Sequence, residues 1–363
     1  MCGICGIYGE ANEPVVADML DAIRHRGPDS FEVAVRGRHS LGAARLALIS
    51  KHRGNQPNSL QPDIERSRGA ERPCTVLLNG EIYNYRELQA DLCDVLGSDA
   101  SEVEVIGALY RRHGIEAIPM FRGMFALAIL DGDRLVLARD RFGIKPLFFC
   151  RAGKAVLFAS EIKALLRHPA VTPNLSLRAL QETAVFGFIC SPTLTPFEGV
   201  EQVSPGTILT VEPTRITRRT YYRVPPCRNE DETCTPYSQA VARLSAILQQ
   251  SVESLMLHGE DRKGLYLSGG LDSSLVALLA SRVGQQPLLT FTLYDSEGSP
   301  DLEVARRVAH AIGSQHFEFK VDLEDYLREL PDFVHHYENF IAGGVFDVHG
   351  GVAFHLLSRR VAE

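Results

Sequence analysis

Hydrophobic and polar positions follow two different patterns along the chain, and the change between them divides it into two halves. In roughly the first 200 residues, short apolar runs bounded by Gly, Asp or charged side chains predict β-strands. The clearest runs are residues 75–79, 135–138 and 156–159. Between them, residues 14–24 and 102–113 space their apolar side chains three and four apart, which predicts amphipathic helices. An α+β fold is therefore predicted for this half.

A different order of elements follows a charged, Pro-containing stretch. A long helix is predicted over residues 237–256, and strands at 265–267, 288–293 and 316–320 then alternate with a helix from Ser273 and a helix over residues 300–312. This alternation is typical of an α/β parallel sheet covered on both faces. We expect one domain at residues 1–206 and a second at 237–363, joined by a linker at 207–236.

The composition is that of a folded globular chain. Its 363 residues suggest about two domains. The net charge of -7 lacks the electrostatic footprint of a general nucleic-acid binder. No apolar run approaches the ~20 residues that span a bilayer. Eight cysteines are too few for a disulfide scaffold, and without a secretory signal they favour a reducing, cytoplasmic compartment. Cys227 and Cys234, in the expected linker, are predicted to be free thiols.

Candidate chemistry begins at Cys2. Removal of the initiator Met would leave a thiol and a free α-amine on one residue, and an amine with a pKa of roughly 8 can take up the thiol proton. This arrangement is the logic of an N-terminal nucleophile hydrolase. Two other interpretations exist for the cysteine alone. In the first, Cys2 is simply a small apolar residue at a frayed chain end. In the second, it forms a C-x-x-C pair with Cys5, although no second pair follows at the spacing of a closed zinc site.

Five motifs follow the cysteine in order. They are RHRGPD at 24–29, RLALI at 45–49, NGEIYN at 79–84, RDRFGIKPL at 139–147 and ASE at 159–161. With these motifs, residues 1–206 resemble the class II glutamine amidotransferases, and in detail the glutamine-hydrolysing asparagine synthetases. The ordered set carries the resemblance, because each lone Arg or Glu would otherwise be interpreted as a solvated surface charge. The resemblance implies an αββα N-terminal nucleophile sandwich.

The resemblance also implies a glutaminase site. Cys2 would attack the side-chain amide of glutamine and form a thioester, and Asn79 and Gly80 would donate hydrogen bonds to the oxyanion. Arg45 would clamp the α-carboxylate with its planar fork of donors. The residues expected to bind glutamine are Arg45, Leu46, Ala47, Leu48, Ile49, Asn79, Gly80, Glu81 and Glu102.

The last of these residues departs from the family pattern. Glu81 and a later acid would hold the α-ammonium of glutamine. The family has Asp at the later position, where this chain has Glu102, whose side chain is one methylene longer. Asp99 is a competing candidate.

A second candidate site is the SGGLDSS sequence at 268–274, which joins a predicted strand to a predicted helix. Its glycines let backbone N–H groups approach a phosphate, and the helix N-terminus favours the phosphate charge. It lacks the Lys of the G-x-x-x-x-G-K-[ST] loop. The alternative is an ordinary Gly-rich turn. The sequence resembles the loop of ATP pyrophosphatases, which split ATP into AMP and pyrophosphate.

That second resemblance implies an ATP site with Mg²⁺ on Asp272, because Mg²⁺ commonly takes one or two carboxylates together with phosphate oxygens. Leu267 and Leu293 would flank the adenine. The expected ATP-binding residues are Leu267, Ser268, Gly269, Gly270, Leu271, Asp272, Ser273, Ser274 and Leu293.

Together the two sites imply glutamine-dependent, AMP-forming amide synthesis from glutamine, ATP and a carboxylate acceptor, with aspartate to asparagine as the default and a homodimer as the assembly. Phosphoribosyl and sugar-phosphate amidotransferases share the first half but not residues 268–274. Members of the family continue with an S-G-E-G-x-D-E loop, which this chain does not reach. We therefore expect either a fragment of a longer protein or an incomplete second site, with a parallel sheet of about three strands and an open edge.

The acceptor segment, residues 338–350, also departs from the family. It lacks the Arg that an aspartate α-carboxylate would require, and Asp347 or His349 would be candidates to recognise another acceptor, if they are not simply loop residues. Two alternatives therefore stay open. One is an amidotransferase that acts on a non-aspartate carboxylate in specialised metabolism, and the other is a truncated glutaminase or regulatory fragment.

Overall fold

The computed structural model describes residues 2–48, 54–60, 74–92, 96–97, 99–226, 236–257, 263–283, 287–340 and 348–362. The chain divides into two compact units. The first comprises Met1–Val224 together with Glu338–Phe340, and the second comprises Pro225–Tyr337 and Ile341–Glu363. A search of the described residues for a helix with the length and apolar character of a membrane span found none.

Two antiparallel sheets form the body of the first unit. Their strands are β1 (Gly3–Tyr8), β2 (Ser30–Arg36), β3 (His39–Arg45), β4 (Asn58–Leu60), β5 (Cys74–Ile82), β6 (Gly123–Asp131), β7 (Arg134–Arg139), β8 (Phe148–Ala152), β9 (Ala155–Ala159), β10 (Val200–Gln202), β11 (Thr207–Glu212) and β12 (Arg215–Thr220). One sheet has the order β10-β8-β9-β1-β3-β2, and the other has the order β12-β11-β7-β6-β5-β4.

The first unit has five described α-helices, and four of them cover the outer faces of the sheets. The five helices are α1 (Glu13–Ala22), α2 (Tyr85–Ala90), α3 (Glu102–His113), α4 (Ile162–Leu165) and α5 (Leu177–Phe186), with 3₁₀ turns at Arg24–Arg26 and Gly114–Met120. Apolar residues of α1 and α4 share a core with the first sheet, and those of α2 and α3 share a core with the second. A third core lies between the two sheets. The four layers confirm the predicted αββα sandwich.

The central strand β1 determines where the N-terminus points. Its side chains alternate, so that Cys5 and Ile7 pack against α1 while Ile4 and Tyr8 face the second sheet. Continuing this period of two places Cys2 on the same side as Ile4. The candidate nucleophile therefore lies at the end of a buried central strand and faces the second sheet.

The expected linker at residues 207–236 is wrong in its first part, because β11 and β12 form there. β11 pairs with β7 along its length and buries Ile208, Leu209 and Val211. β12 is an edge strand with three arginines in six residues. Edge strands carry charged side chains that discourage further pairing, so the hydrophobic pattern does not reveal this one.

A three-stranded parallel sheet forms the centre of the second unit, in the order β13-β14-β15. Its elements are α6 (Tyr237–Leu257), β13 (Gly264–Tyr266), α7 (Leu271–Ser281), β14 (Leu289–Tyr294), α8 (Pro300–Ile312), β15 (Gln315–Lys320), α9 (Leu323–Tyr337) and α10 (Val348–Ala362). One apolar cluster joins α7 to α8 and another joins α9 to α10. The predicted alternation of strands and helices around a parallel sheet is confirmed.

Candidate functional site

A pocket beside the N-terminus gathers most of the residues expected to bind glutamine. It is lined by Cys2, Arg45, Leu46, Leu48, Gly54, Gln56, Leu78, Gly80, Glu81, Ser101, Glu102 and Val103. Ala47 does not line it, and Asn79 is completely buried beside Gly80. The expected contact at Ile49 lies outside the described residues.

The Cys2 thiol is held by the main chain of Leu46. The Leu46 N–H donates to Sγ at 3.4 Å, and Sγ lies 3.6 Å from the Leu46 carbonyl oxygen. Arg26 Nε donates to the Cys2 carbonyl oxygen at 3.1 Å. Burial raises the pKa of the Cys2 thiol, and Glu81 adds to this effect, while the Leu46 hydrogen bond and Arg45 act against it. This environment therefore favours the neutral thiol over the thiolate.

Arg45 ends β3 at the rim of the pocket. Its side chain is buried, and Nη1 donates to Asn55 Oδ1 at 3.3 Å. Asp29, the last residue of the RHRGPD motif, forms hydrogen bonds to Arg45 and Ala47, the two neighbours of Leu46. Its N–H donates to the Arg45 carbonyl at 3.0 Å, and its Oδ2 accepts from the Ala47 N–H at 2.7 Å. The motif therefore shapes the segment that holds Cys2.

The Gly80 N–H faces away from the ladder between β5 and β6. Gly80 stands opposite Phe125, whose N–H and carbonyl both bond to Asp140 on the other side of β6. The pair is therefore a non-hydrogen-bonded pair, and the N–H of Gly80 points to the same side as that of Leu78. The Leu78 N–H donates to Gln56 Oε1 at 2.6 Å, and both residues line the pocket. Gly80 thus has a backbone donor directed to the pocket side of the strand.

The two acids lie together at the far side of the pocket. Glu102 is the first residue of α3, and its Oε1 accepts from the Ile82 N–H at 2.7 Å. Burial and the nearby Glu81 carboxylate hold the pKa of Glu102 well above its usual range, while the Ile82 hydrogen bond and Arg45 act to lower it. Asp99 is exposed and does not line the pocket. The structure therefore brings Glu102, not Asp99, to this site.

The SGGLDSS loop follows β13 and opens α7, as predicted. Ser268 Oγ lies 3.0 Å from Ser273 Oγ and accepts from the Gly270 N–H at 3.3 Å. Gly269 has φ +79°, and a Cβ there would stand 2.3 Å from the Asp301 carbonyl oxygen. The turn therefore requires glycine at this position, and its outer residues Leu271 and Asp272 are exposed.

The two leucines expected to flank adenine differ in their exposure. Leu267 is buried in the core with Ala277 and Ala305, its N–H donates to the Phe291 carbonyl, and its carbonyl accepts from Thr292. Leu293 is half-buried and packs against the core shared by α9 and α10. The Leu267 side chain is thus enclosed by protein atoms and offers no exposed surface for a ligand.

Asp272 is not part of any group of three potential metal ligands among the described residues. An ion bound there would depend on the ligand's phosphate oxygens, which is the usual manner of Mg²⁺ binding. Asp347 and the side chain of His349 lie outside the described residues, as do Cys227 and Cys234.

Comparison with known proteins agrees with this arrangement. A glutamine amidotransferase domain model matches residues 1–222, and an asparagine synthase model matches residues 243–363. The chain belongs to the glutamine-hydrolysing asparagine synthetase family. Asparagine synthetase [glutamine-hydrolyzing] 1 of Bacillus subtilis is 32% identical over 359 residues, which are 94% of this chain and 54% of that protein.

Asparagine synthetase [glutamine-hydrolyzing] 2 of Arabidopsis thaliana is 30% identical over 378 residues, which are 99% of this chain and 57% of that protein. The chain thus spans about half the length of the curated relatives it matches. Among solved structures it is similar to a glutamine phosphoribosylpyrophosphate amidotransferase from B. subtilis. The TM-score is 0.46 and the identity 15%, covering 88% of this chain and 91% of that one.

Five residues that line the pocket are not among those expected from the sequence: Gly54, Gln56, Leu78, Ser101 and Val103. Gln56 lies in a Gly- and Pro-containing segment that indicates only a loop. Ser101 carried a usable signal, because a Ser followed three residues later by Glu104 is the pattern of a capping box. The Ser101 N–H donates to Glu104 Oε2 at 2.8 Å. This pattern fixes Glu102 at the first position of the helix.

Proposed function

We propose that the first unit hydrolyses glutamine. The observation that carries this proposal is the pocket itself, where a half-buried thiol faces a backbone donor at Gly80, a cationic fork at Arg45 and two carboxylates at Glu81 and Glu102. These groups match the amide, the carboxylate and the ammonium of one amino acid. Arg45 would pair with the α-carboxylate and the two acids with the α-ammonium.

The chemistry follows from these positions. After removal of Met1, the α-amine of Cys2 accepts the thiol proton, and Sγ attacks the amide carbon. The carbonyl oxygen becomes an oxyanion, to which the Gly80 N–H and the Asn79 side-chain amide donate. The proton passes to the departing nitrogen, so that ammonia leaves and a thioester remains. Water then cleaves the thioester, which releases glutamate and restores the thiol.

We propose that the ammonia serves an ATP-dependent, AMP-forming amide synthesis to which the second unit contributes. The loop at 268–274 would bind the pyrophosphate portion of ATP through its backbone N–H groups and serine hydroxyls. Asp272 would hold Mg²⁺. An acceptor carboxylate joined to AMP becomes susceptible to attack by ammonia, which displaces AMP and forms the amide.

Aspartate is our first choice of acceptor, because the relatives are named asparagine synthetases. The absence of Arg from the sequence between residues 338 and 350 favours a different carboxylate as the second choice. The cytoplasmic location and the homodimer stay predictions.

A product assay by mass spectrometry tests the proposal. With glutamine, Mg-ATP and aspartate, we expect glutamate, AMP and asparagine. Cys2→Ala should abolish the use of glutamine and leave the use of free ammonia intact. Glutamate without AMP would support the glutaminase alone. AMP formed only with another carboxylate would identify that compound as the acceptor. If intact protein with a free N-terminal cysteine gives no glutamate, the glutaminase proposal is wrong.

A further inference from the structure

Ser160 belongs to the ASE motif at 159–161, for which neither the sequence nor the proposed reaction supplies a role. It follows β9 directly and is completely buried. Its N–H donates to the Ile4 carbonyl at 2.9 Å, and its Oγ accepts from the Ile4 N–H at 3.0 Å. The side chain thus continues the pairing of β9 with β1. These bonds attach Ser160 to Ile4, which lies two residues along the chain from Cys2. Ser160 itself does not line the pocket.

The Ser160 hydroxyl contacts the side chain of Asn79, one of the residues expected to form the oxyanion hole. The Asn79 Nδ2 lies 3.4 Å from Ser160 Oγ, and the Asn79 side chain is completely buried. Asn79 lies two residues from Leu77, which packs in the core between the sheets, so its side chain enters the same inter-sheet space as Cys2. Within the part of the chain that the structure describes, its Oδ1 has no hydrogen-bond partner. A buried carbonyl oxygen in this state is unfavourable, because it has lost its hydrogen bonds to water without gaining others.

The Asn79 amide has two possible orientations, which differ by a half-turn of its plane. They differ in which donors and acceptors find a hydrogen-bond partner. The structure has Nδ2 facing Ser160, so that one of its two hydrogens is donated to Oγ and Oδ1 has no partner among the described residues. When Oδ1 faces Ser160, the hydroxyl proton has an acceptor, because Oγ already accepts from Ile4 and has one proton to donate. Only the second orientation frees both Nδ2 hydrogens for another acceptor.

We propose that Ser160 is a positioning residue of the oxyanion hole. Its hydroxyl is held by the Ile4 N–H, donates to Asn79 Oδ1 and presents Asn79 Nδ2 to the oxyanion formed when Cys2 attacks. This inference rests on the proposed glutaminase function. Ser160 acts on the reaction only through Asn79, because it has no surface in the pocket. The ASE motif is thereby tied to the chemistry at a residue that does not contact glutamine.

A double-mutant cycle tests the inference on the full chain. Removing one oxyanion donor typically lowers kcat by ~10²–10³, so we expect Asn79→Ala to fall in that range. Ser160→Ala keeps Asn79 but loses its orientation, and should lower kcat by roughly 10-fold with KM within about twofold. In the Asn79→Ala background, Ser160→Ala should change kcat by less than about twofold. An equal loss of kcat in both backgrounds would overturn the inference.

A binding measurement separates this role from a general structural one. The γ-semialdehyde of glutamate adds reversibly to a thiol and forms a tetrahedral adduct with an oxygen at the oxyanion position. We expect Ser160→Ala to weaken binding of this aldehyde by the same factor as kcat, and to leave binding of glutamate unchanged. Equal weakening of both ligands would contradict the inference. Ser160→Cys, which keeps a weaker donor of similar size, should lose less kcat than Ser160→Ala.

Ser40→Ala is the matched control. Ser40 is also completely buried, lies on β3 next to β1, and accepts from a backbone N–H, that of Asn12, at 2.9 Å. It should cost similar stability and leave kcat unchanged, and a kcat loss equal to that of Ser160→Ala would count against the inference. Wild-type protein that fails to hydrolyse glutamine would overturn the proposed function as well. Normal hydrolysis with an additive cycle would overturn this inference alone.

Discussion

At the scale of single residues, the Cys2 thiol is held in a defined position and is a weaker acid than an ordinary cysteine thiol. Burial raises its pKa, and the Glu81 carboxylate adds to this, against the effect of the Leu46 N–H and Arg45. We therefore expect alkylation of Cys2 by iodoacetamide to rise with pH through a midpoint above that of a blocked cysteine peptide. Mass spectrometry of the modified N-terminal peptide across pH would give the midpoint.

The variant Glu81→Gln tests whether the Glu81 carboxylate raises the pKa of the thiol. Removing the negative charge should lower the midpoint relative to the wild type, since Glu81 raises the pKa of the thiol. Arg45→Met should move the midpoint up. A wild-type midpoint at or below that of the peptide would show that the thiol is not controlled by burial.

Glu102 should control the affinity for glutamine more than the rate of its hydrolysis. Glu102→Gln keeps an acceptor for the Ile82 N–H but loses the charge that pairs with the α-ammonium. A hydrogen bond to a charged group contributes about 1.5–3 kcal/mol, so the dissociation constant should rise at least roughly 10-fold. Calorimetry of glutamine binding to Cys2→Ala protein, with and without Glu102→Gln, measures this without turnover.

The same pair of proteins should differ in pH dependence. Burial and Glu81 raise the pKa of Glu102, so its carboxylate gains a proton at a higher pH than an ordinary glutamate. Affinity for glutamine should therefore fall as the pH decreases through that raised pKa, and this part of the fall should be absent in Glu102→Gln. Glu87→Gln, in α2 and outside the pocket, is the control and should bind glutamine normally.

At the scale of elements, the close pairing of β5 and β6 leaves no room for a side chain at Gly80. Gly80 has φ +144°, and a Cβ would stand 2.0 Å from the Met124 carbonyl oxygen. Gly80→Ala should therefore lower the free energy of unfolding by more than about 3 kcal/mol. Urea unfolding gives this value. Gly37→Ala is the control, since Gly37 has φ +58° with open space around it and should lose only about 1–2 kcal/mol.

The elements predicted best from the sequence are those with clear end signals. Helices α3 and α8 have the predicted bounds. α8 begins with Pro300 after Ser299, and Gly313 follows its last residue in the left-handed conformation that ends many helices. β12 has no such signals. Its exposed arginines resemble those of a loop, and only its pairing with β11 makes it a strand.

At the scale of the whole molecule, the sequence predicted the sandwich and the residues supplied by contiguous motifs, such as Cys2, Arg45 and Gly80. It did not predict Gln56, because its role depends on β5 passing beside it. Ser160 was visible within a motif, but its contact with Asn79 joins opposite sheets of the sandwich. Proximity between sheets is a property of the folded chain, which local patterns do not contain.

The extent of the first unit gives the last prediction. Residues 207–220 complete the second sheet, since β11 covers the edge of β7 and buries three apolar side chains. A protein of residues 1–224 should therefore fold and hydrolyse glutamine with a kcat/KM within about threefold of the full chain. A protein of residues 1–206 should aggregate, because it exposes the β7 edge and the apolar surface that β11 covers. Size-exclusion chromatography and the glutaminase assay compare the two. Equal folding and activity of the shorter protein would place the boundary at 206 and make β11 and β12 dispensable.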